Sequence, residues 1–237
     1  YLGPVLFEQA AAAELFRQLL QPQISGTPPF ESAPDGASHD ARPIPTARIG
    51  RRILPSGWSV TDNPQGDPAL ASYMTHDFEG VSSRRVDLIQ EGVLRDVLMS
   101  RTPRSDRNTS TGHARNTRSS RFEAMPSQIT VRNTRSKSWT RLRRIALSRA
   151  KTAGLSYVLV VRRLTPPALM ESLEFSFTGD SPMAGLSTPT EVYKLHADGR
   201  EEPVRGLEFV GVDRRVLRDI VAAGRTSTAV QMLDTPG

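Results

Sequence analysis

Four histidines are the side chains of this 237-residue sequence best suited to metal or acid-base chemistry. They are His39, His76, His113 and His196, and no two of them stand three or four residues apart. A pair of metal-ligating histidines on one helical turn is therefore excluded. The sequence also contains no cysteine, which excludes disulfides, thiolate nucleophiles and thiolate metal ligands.

One local cluster nevertheless offers metal-ligand chemistry. Asp77 and Glu79 follow His76 directly, and alternation along a strand would place the two carboxylates on the same side. His113 could then join them in space as a further ligand. The alternative is that the same residues form hydrogen bonds or contacts with another subunit.

A second cluster surrounds His113. Ser110 and Thr111 precede this histidine and Arg115 follows it, so a hydroxyl nucleophile could stand beside a base. No neighbouring residue supplies the third group that orients the base, which favours a polar turn at a strand crossing. The segment also lacks the frame of a phosphate-binding loop.

Helices and strands must position these groups, and the apolar pattern predicts where they lie. A short strand at 3–7 leads into an alanine-rich helix at 8–20, in which Leu15, Phe16, Leu19 and Leu20 form the stripe that faces a core. Further strands are expected at 57–62, 129–134 and 155–164, hairpins at 86–98 and 191–210, and helices at 138–153 and 214–223.

The remaining segments are predicted to be loops. Residues 21–48 are rich in proline and glycine, and residues 101–121 are polar and basic without periodicity. We therefore expect one α+β domain over residues 1–237, mostly antiparallel sheet with a few peripheral helices. Because the chain begins inside a strand and without methionine, we expect it to be part of a longer polypeptide.

Positive charge is concentrated in residues 101–151, which contain fourteen lysines and arginines against Asp106 and Glu123. The net charge of this segment is +12, whereas that of the whole chain is +6, so the rest of the chain carries −6. A basic block of this kind indicates a nucleic-acid surface or an acidic partner. Its few aromatic residues favour pairing with acidic groups of this chain or of another subunit.

Five motifs in order resemble the carboxy-terminal domain of the TldD/PmbA family, the metallopeptidase-related proteins described as modulators of DNA gyrase. Together they span residues 3–224, although residues 155–177 resemble the family poorly. The motifs are Gly-Pro-Val-Leu-Phe at 3–7 with its helix, Asp-Phe-Glu-Gly-Val at 77–81 with Arg85, Leu-Ile-Gln-Glu-Gly-Val-Leu at 88–94, Ser-Thr-Gly-His-Ala-Arg at 110–115, and Glu-Val-Tyr at 191–193 with 202–206.

The resemblance implies where a zinc site would be expected. In the active family member, the helix after the Gly-Pro strand carries His-Glu-x-x-x-His, and a later cysteine completes the site. Glu8, Gln9 and Ala13 occupy the three motif positions here. An amide such as Gln9 is no general base near neutral pH. The chain is thus similar to the PmbA (TldE) branch, which lacks the metal.

The resemblance therefore predicts a non-catalytic chain with no catalytic or metal residue and no bound cofactor. Zinc is expected in a TldD-like catalytic partner, with a homodimer as the alternative assembly, and the substrate is expected to be a peptide. Asp77, Glu79, His113 and Arg115 are predicted to lie at a cleft or interface. No apolar run is long enough to cross a membrane, and we expect a cytoplasmic location.

Overall fold

The computed structural model describes residues 1–27, 49–116, 122–166 and 185–232. These residues form an α+β fold dominated by antiparallel sheet, as the sequence predicts. In chain order the elements are β1 (Val5–Phe7), α1 (Gln9–Ile24), β2 (Trp58–Asp62), β3 (Val86–Gln90), β4 (Val93–Leu94), β5 (Ala114–Asn116), β6 (Phe122–Ala124), β7 (Ile129–Asn133), α2 (Trp139–Thr152), β8 (Tyr157–Leu164), β9 (Pro189–His196), β10 (Glu201–Val204) and a 3-10 helix (Arg214–Asp219).

Two compact units make up the fold. The first contains Tyr1–Leu19, Arg135–Val216 and Ile220–Met232, and the second contains Leu20–Thr134 with Leu217–Asp219. The prediction that residues 1–237 form a single carboxy-terminal domain stays a prediction. No helix of the described residues is long and apolar enough to cross a membrane.

The first unit is built on a four-stranded sheet in the order β1-β8-β9-β10. The β1–β8 pair is parallel, and the other two pairs are antiparallel. The core of this unit consists of Ala146 and Ala150 from α2 with Val158, Val160 and Leu195 from the sheet. Burial of these apolar side chains holds α2 against the sheet.

The predicted ends of α2 are confirmed. Ser138 caps its first turn by accepting a hydrogen bond from the Arg141 N–H, and the helix ends at Thr152, shortly before Gly154. The sequence pattern predicts a buried stripe of Leu142, Ile145, Ala146 and Arg149 on this helix, which was partly wrong because Arg149 is exposed and Ala150 is buried in its place. A small side chain fits the close approach of the helix to β8 better than an arginine does.

The second unit contains an antiparallel sheet in the order β4-β3-β2-β7 and a two-stranded ribbon of β5 and β6. The predicted hairpin at 86–98 is confirmed as β3 and β4. Glu91 and Gly92 both have positive φ there, as the tight turn between two such strands requires. Val60 of β2 and Val86, Leu88 and Ile89 of β3 are almost fully buried.

Three predictions about individual elements were wrong. The loop expected from residue 21 begins after Ile24, because the buried Ile24 side chain keeps the last turn of α1 helical despite Pro22. The loop expected at 101–121 contains β5, which pairs with β6. The final helix is the six-residue 3-10 helix rather than a longer α-helix. The rest of the predicted 21–48 loop, residues 28–48, lies outside the described residues.

Candidate functional site

The three positions predicted to have lost a metal motif lie where β1 passes into α1. The Glu8 N–H donates to the Val161 carbonyl, and the Glu8 carbonyl accepts the first helical bond, from Ala12. Gln9 is exposed with a φ of 29°, and Ala13 is half-buried one turn further along. Only Glu8 therefore offers a charged group at these positions.

The Glu8 carboxylate is occupied by an arginine from the neighbouring strand. Nε of Arg162 lies 3.2 Å from Oε2 of Glu8, and Nη2 of the same guanidinium lies 2.6 Å from Oε2 of Glu201. One arginine therefore links the end of β1 to β10 by two charge-assisted hydrogen bonds. All three side chains are roughly one-quarter to one-third exposed.

Two further contacts extend this group, which we call the Arg162 cluster (Glu8, Arg162, Tyr193 and Glu201). The guanidinium lies over the Tyr193 ring, 4.3 Å from its centroid, and Arg143 of α2 lies 3.5 Å from Glu201. Burial alone would lower the pKa of Arg162, but Glu8 and Glu201 outweigh it and raise that pKa. The guanidinium is thus a fixed positive charge.

A bulge in β8 explains how Arg162 reaches these partners. Val161 pairs with Val192 and Arg163 pairs with Glu191, so Arg162 is an extra residue opposite a single step of β9. Such bulges redirect a side chain and recur beside functional sites. Arg162 was not predicted from the sequence. A charged residue directly after the apolar run of β8 was the signal that could have found it.

The residues at the motif positions do not fit a zinc ion. Zinc requires three or four imidazole, thiolate or carboxylate ligands, whereas these positions hold one carboxylate, an amide and a methyl group. That one carboxylate is already shared with a guanidinium, whose positive charge repels a divalent cation. Among the described residues, no three histidine, aspartate or glutamate side chains form a group that could hold a metal ion.

The Arg162 cluster should contribute measurably to stability. Removing the guanidinium by Arg162→Ala leaves two half-buried carboxylates facing each other and exposes the Tyr193 ring, so we expect the free energy of unfolding to fall by about 2 kcal/mol. The adjacent Arg163 is 75% exposed beside Glu191, so Arg163→Ala should change that energy by less than about 0.5 kcal/mol. Urea denaturation of both variants checks this, and equal losses would show that Arg162 is an ordinary surface arginine.

The acidic motif at 77–81 is folded around the Asp77 carboxylate. Oδ1 accepts hydrogen bonds from the Glu79 and Val81 N–H groups, and Oδ2 accepts one from Ala114. Three N–H donors satisfy this buried carboxylate, which leaves it little capacity for a metal. Glu79 points elsewhere and accepts the Arg101 N–H at 2.6 Å. The exposed His76 ring lies 3.3 Å from the Thr75 hydroxyl, and the His76 backbone forms an antiparallel bridge to Ser82. The structure does not assemble these residues as ligands.

His113 is completely buried and faces Asp62, which was not predicted from the sequence as a site residue. Its Nδ1 lies 2.9 Å from the Thr111 carbonyl oxygen, which only accepts, so the ring proton belongs on Nδ1. Nε2 lies 3.8 Å from Oδ2 of Asp62 and has no hydrogen-bond partner among the described residues. Asp62 is equally buried and accepts the Ser127 and Gln128 N–H groups.

The two buried groups have pKa values shifted in opposite directions. Burial raises the pKa of Asp62 to about 6, although the Ser127 and Gln128 N–H groups and the charge of Arg115 oppose the shift. Burial lowers the pKa of His113 to about 4, although its hydrogen bond to Thr111 opposes that change. Both shifts follow from the cost of placing charge in an apolar interior.

Thr111, His113 and Asp62 are the residue types of a nucleophile, a base and an acid, but Nδ1 of His113 already carries its proton and Nε2 makes no hydrogen bond to Asp62. Oγ1 of Thr111 lies 2.9 Å from Nδ1 of His113, yet it also accepts the Met99 N–H. All three side chains are buried, so no substrate reaches them in this conformation. The arrangement is that of an internal polar cluster, in agreement with the polar turn that the sequence favours at this point.

Arg115 is half-buried and connects this cluster to the exposed Phe78. Its guanidinium donates to the Ala114 carbonyl and to the Ser127 hydroxyl and lies 6.0 Å from the centre of the Phe78 ring. The prediction that Asp77, Glu79, His113 and Arg115 lie at a cleft or interface stays a prediction. Burial gives Asp77 and His113 an internal role in this chain.

Part of the basic block is neutralised within the chain. Arg104 pairs with Asp106 at 2.7 Å, Arg107 with Asp96 at 3.4 Å, and Arg143 with Glu201. Other members have no carboxylate at ion-pair distance among the described residues; these include the exposed Arg132, Arg141, Arg144, Arg149 and Lys151. Arg118 and Arg121 lie outside the described residues.

Known structures share this fold. TldE from Thermococcus kodakarensis aligns with a TM-score of 0.59 at 17% identity, over 97% of this chain and 46% of that protein. A Thermotoga maritima protein named for a proposed role in modulating a DNA gyrase aligns with a TM-score of 0.60 at 20% identity, over 94% of this chain and 44% of that protein. This chain thus spans less than half of each.

The family itself is identified from sequence. No protein with a curated function matches the chain. The family model described as the PmbA/TldA metallopeptidase C-terminal domain, however, matches residues 2–184. That match covers most of the chain and includes four of the five motifs in full, together with β1, α1 and the polar turn at His113. The chain therefore belongs to the TldD/PmbA family, as its carboxy-terminal domain.

Proposed function

We propose that this chain is the non-catalytic partner subunit of a heteromeric zinc peptidase that acts on peptides. The observation that carries the proposal is the ion pair between Glu8 and Arg162, because it occupies the one charged group at the positions where the family's metal motif is expected. In this proposal zinc and its general base reside in a TldD-like subunit, and this chain completes or guides access to the peptide cleft.

Unpaired strand edges support a role in handling extended peptides. Within the described residues, β1 and β10 of the first unit and β7 of the second each have a neighbouring strand on one side only. An extended peptide can add to such an edge through its main-chain N–H and C=O groups, with little dependence on side-chain identity. This mode suits a subunit that presents peptides of varied sequence to a catalytic partner.

Co-expression with a family member that retains His-Glu-x-x-x-His tests the proposal. We expect the two chains to co-elute on size exclusion, and unfolded peptide to be cleaved by the mixture but not by this chain alone. Replacing the glutamate of the partner's motif by glutamine should abolish cleavage without preventing co-elution. Cleavage that persists with the inactivated partner would place the catalytic residues in this chain and refute the proposal.

A further inference from the structure

The exposed face of α2 carries an excess of positive charge, of which the carboxylates of the described residues neutralise only Arg143. The helix contains Arg141, Arg143, Arg144, Arg149 and Lys151 and no acidic residue. Arg141 and Arg144 stand three residues apart on one face and repel each other. Cations early in a helix also oppose its dipole. Arg149 and Lys151 lie in the last turn, where the dipole favours cations. Arg141 and Arg144 gain no such stabilisation, so a binding role accounts for these two better than a role in folding.

Three of these cations, Arg143, Arg144 and Lys151, border a shallow groove of about 1000 Å³ within the first unit. One side is the α2 stripe of Trp139, Arg143, Leu147 and Lys151, which recur every four residues along one face. The other side is formed by Leu155 and the turn at 197–199. The stripe is about 18 Å long, at 1.5 Å per helical residue, enough for about six residues of extended peptide.

The groove combines an apolar floor with a cationic rim. Leu147 and Leu155 pack partly buried against the core of the unit, and Ala150 is fully buried beneath them. Arg144 and Lys151 on the rim are exposed and have no carboxylate at ion-pair distance among the described residues. Arg143 is partly neutralised by Glu201, so Arg144 and Lys151 are the groove cations available to a ligand.

We propose that this groove is a docking site for a peptide segment that carries both acidic and apolar side chains. The acidic groups would pair with Arg144 and Lys151, and the apolar groups would cover Leu147 and Leu155. Single-stranded nucleic acid fits less well, because it requires successive aromatic platforms and Trp139 is the groove's one aromatic side chain. The inference goes beyond the proposed function, since it requires neither zinc nor a catalytic partner.

Fluorescence anisotropy with a labelled peptide of about eight residues that alternates glutamate and leucine tests the site on the full chain. We expect binding that weakens as salt increases and is at least about tenfold weaker when glutamine replaces glutamate. The double variant Arg144→Glu/Lys151→Glu should weaken binding by about tenfold or more. If that variant unfolds, Arg144→Gln/Lys151→Gln should still weaken binding by about threefold.

A matched control separates the groove from net charge. Arg132→Glu/Arg205→Glu makes the same change in charge at two exposed arginines outside the groove, and it should alter the affinity by less than about threefold. Equal losses in the two charge-reversal variants would overturn the proposal, as would equal binding of the glutamine peptide. An oligothymidylate that binds more tightly than the peptide, and loses that binding in the groove variant, would overturn it in favour of nucleic acid. None of these results bears on cleavage by the co-expressed assembly.

Discussion

Replacing Gly112 by alanine is expected to lower the free energy of unfolding by at least about 3 kcal/mol. Gly112 has a φ of 72°, where an L-residue is strained by about 1–2 kcal/mol. An added Cβ would stand 2.4 Å from the Ser82 carbonyl oxygen and 2.5 Å from Cα of Ser83, so the two backbone segments must separate. Overpacking of this kind adds about 1–3 kcal/mol. Movement would also weaken the bond from the Ser83 hydroxyl to the Gly112 carbonyl, 2.7 Å long.

Gly80→Ala is the matched control, because Gly80 belongs to the same unit and has a nearly identical φ of 76°. No atom lies within 4 Å of the Cβ that would be added there, so only the backbone strain applies. We expect a loss of about 1 kcal/mol for this variant. Urea denaturation of both variants measures the difference. Equal losses would mean that the close contact with residues 82–83 does not stabilise the fold.

The second large effect concerns the pH dependence of stability at the Asp62–His113 pair. The pKa of Asp62 is raised from its usual 3.8 to about 6, so its contribution is fully present below 3.8 and is lost as pH rises through 6. The pKa of His113 is lowered from 6.5 to about 4, so its contribution is present above 6.5 and is lost as pH falls through 4. Each pKa shift corresponds to a change of about 3 kcal/mol in the free energy of unfolding across its pH range.

The two contributions nearly cancel in the wild-type chain. Near pH 5 the unfolded state carries its proton on His113 and the folded state carries one on Asp62, so folding changes the number of bound protons at this pair very little. Single substitutions remove that compensation. As the pH is lowered from 7 to 4, the free energy of unfolding of Asp62→Asn should fall by about 3 kcal/mol relative to wild type. Over the same range the free energy of unfolding of His113→Gln should rise by about as much.

Chemical denaturation at several pH values measures both slopes. The double variant Asp62→Asn/His113→Gln is the control, and its stability relative to wild type should vary little with pH. Any constant cost of removing the bonds to Ser127 and Gln128 cancels, because only the slope is compared. Slopes of the same sign for the two single variants would contradict the expectation that the pair holds its proton on His113 when unfolded and on Asp62 when folded.

Local signals were sufficient to predict most of the individual elements. The alanine-rich run gave α1, the Ser138 cap and the later Gly154 gave α2, and the Glu-Gly pair gave the hairpin of β3 and β4. These features depend on residues within a few positions of one another. The end of α1 was missed because burial of Ile24, a tertiary effect, outweighs the local preference of Pro22.

The sites were harder to predict because their partners are far apart in the chain. Arg162 and Glu8 are 154 residues apart, and their contact depends on the parallel register of β1 and β8 together with a bulge that no local pattern indicates. Asp62 reaches His113 only after β2 and the turn before β5 have folded. Histidines and carboxylates are easily selected as candidate site residues in a sequence, but the sheet register decides which of them lie in the same site.

Zinc titration of the chain by calorimetry at neutral pH tests most directly whether the Glu8 carboxylate is held by Arg162 rather than by a metal. We expect no stoichiometric zinc binding by the isolated chain, and the same heat when Glu8→Ala is titrated in parallel. One tightly bound zinc per chain that disappears in Glu8→Ala would show that this position still holds a metal, and it would contradict the assignment of this chain as a non-catalytic subunit.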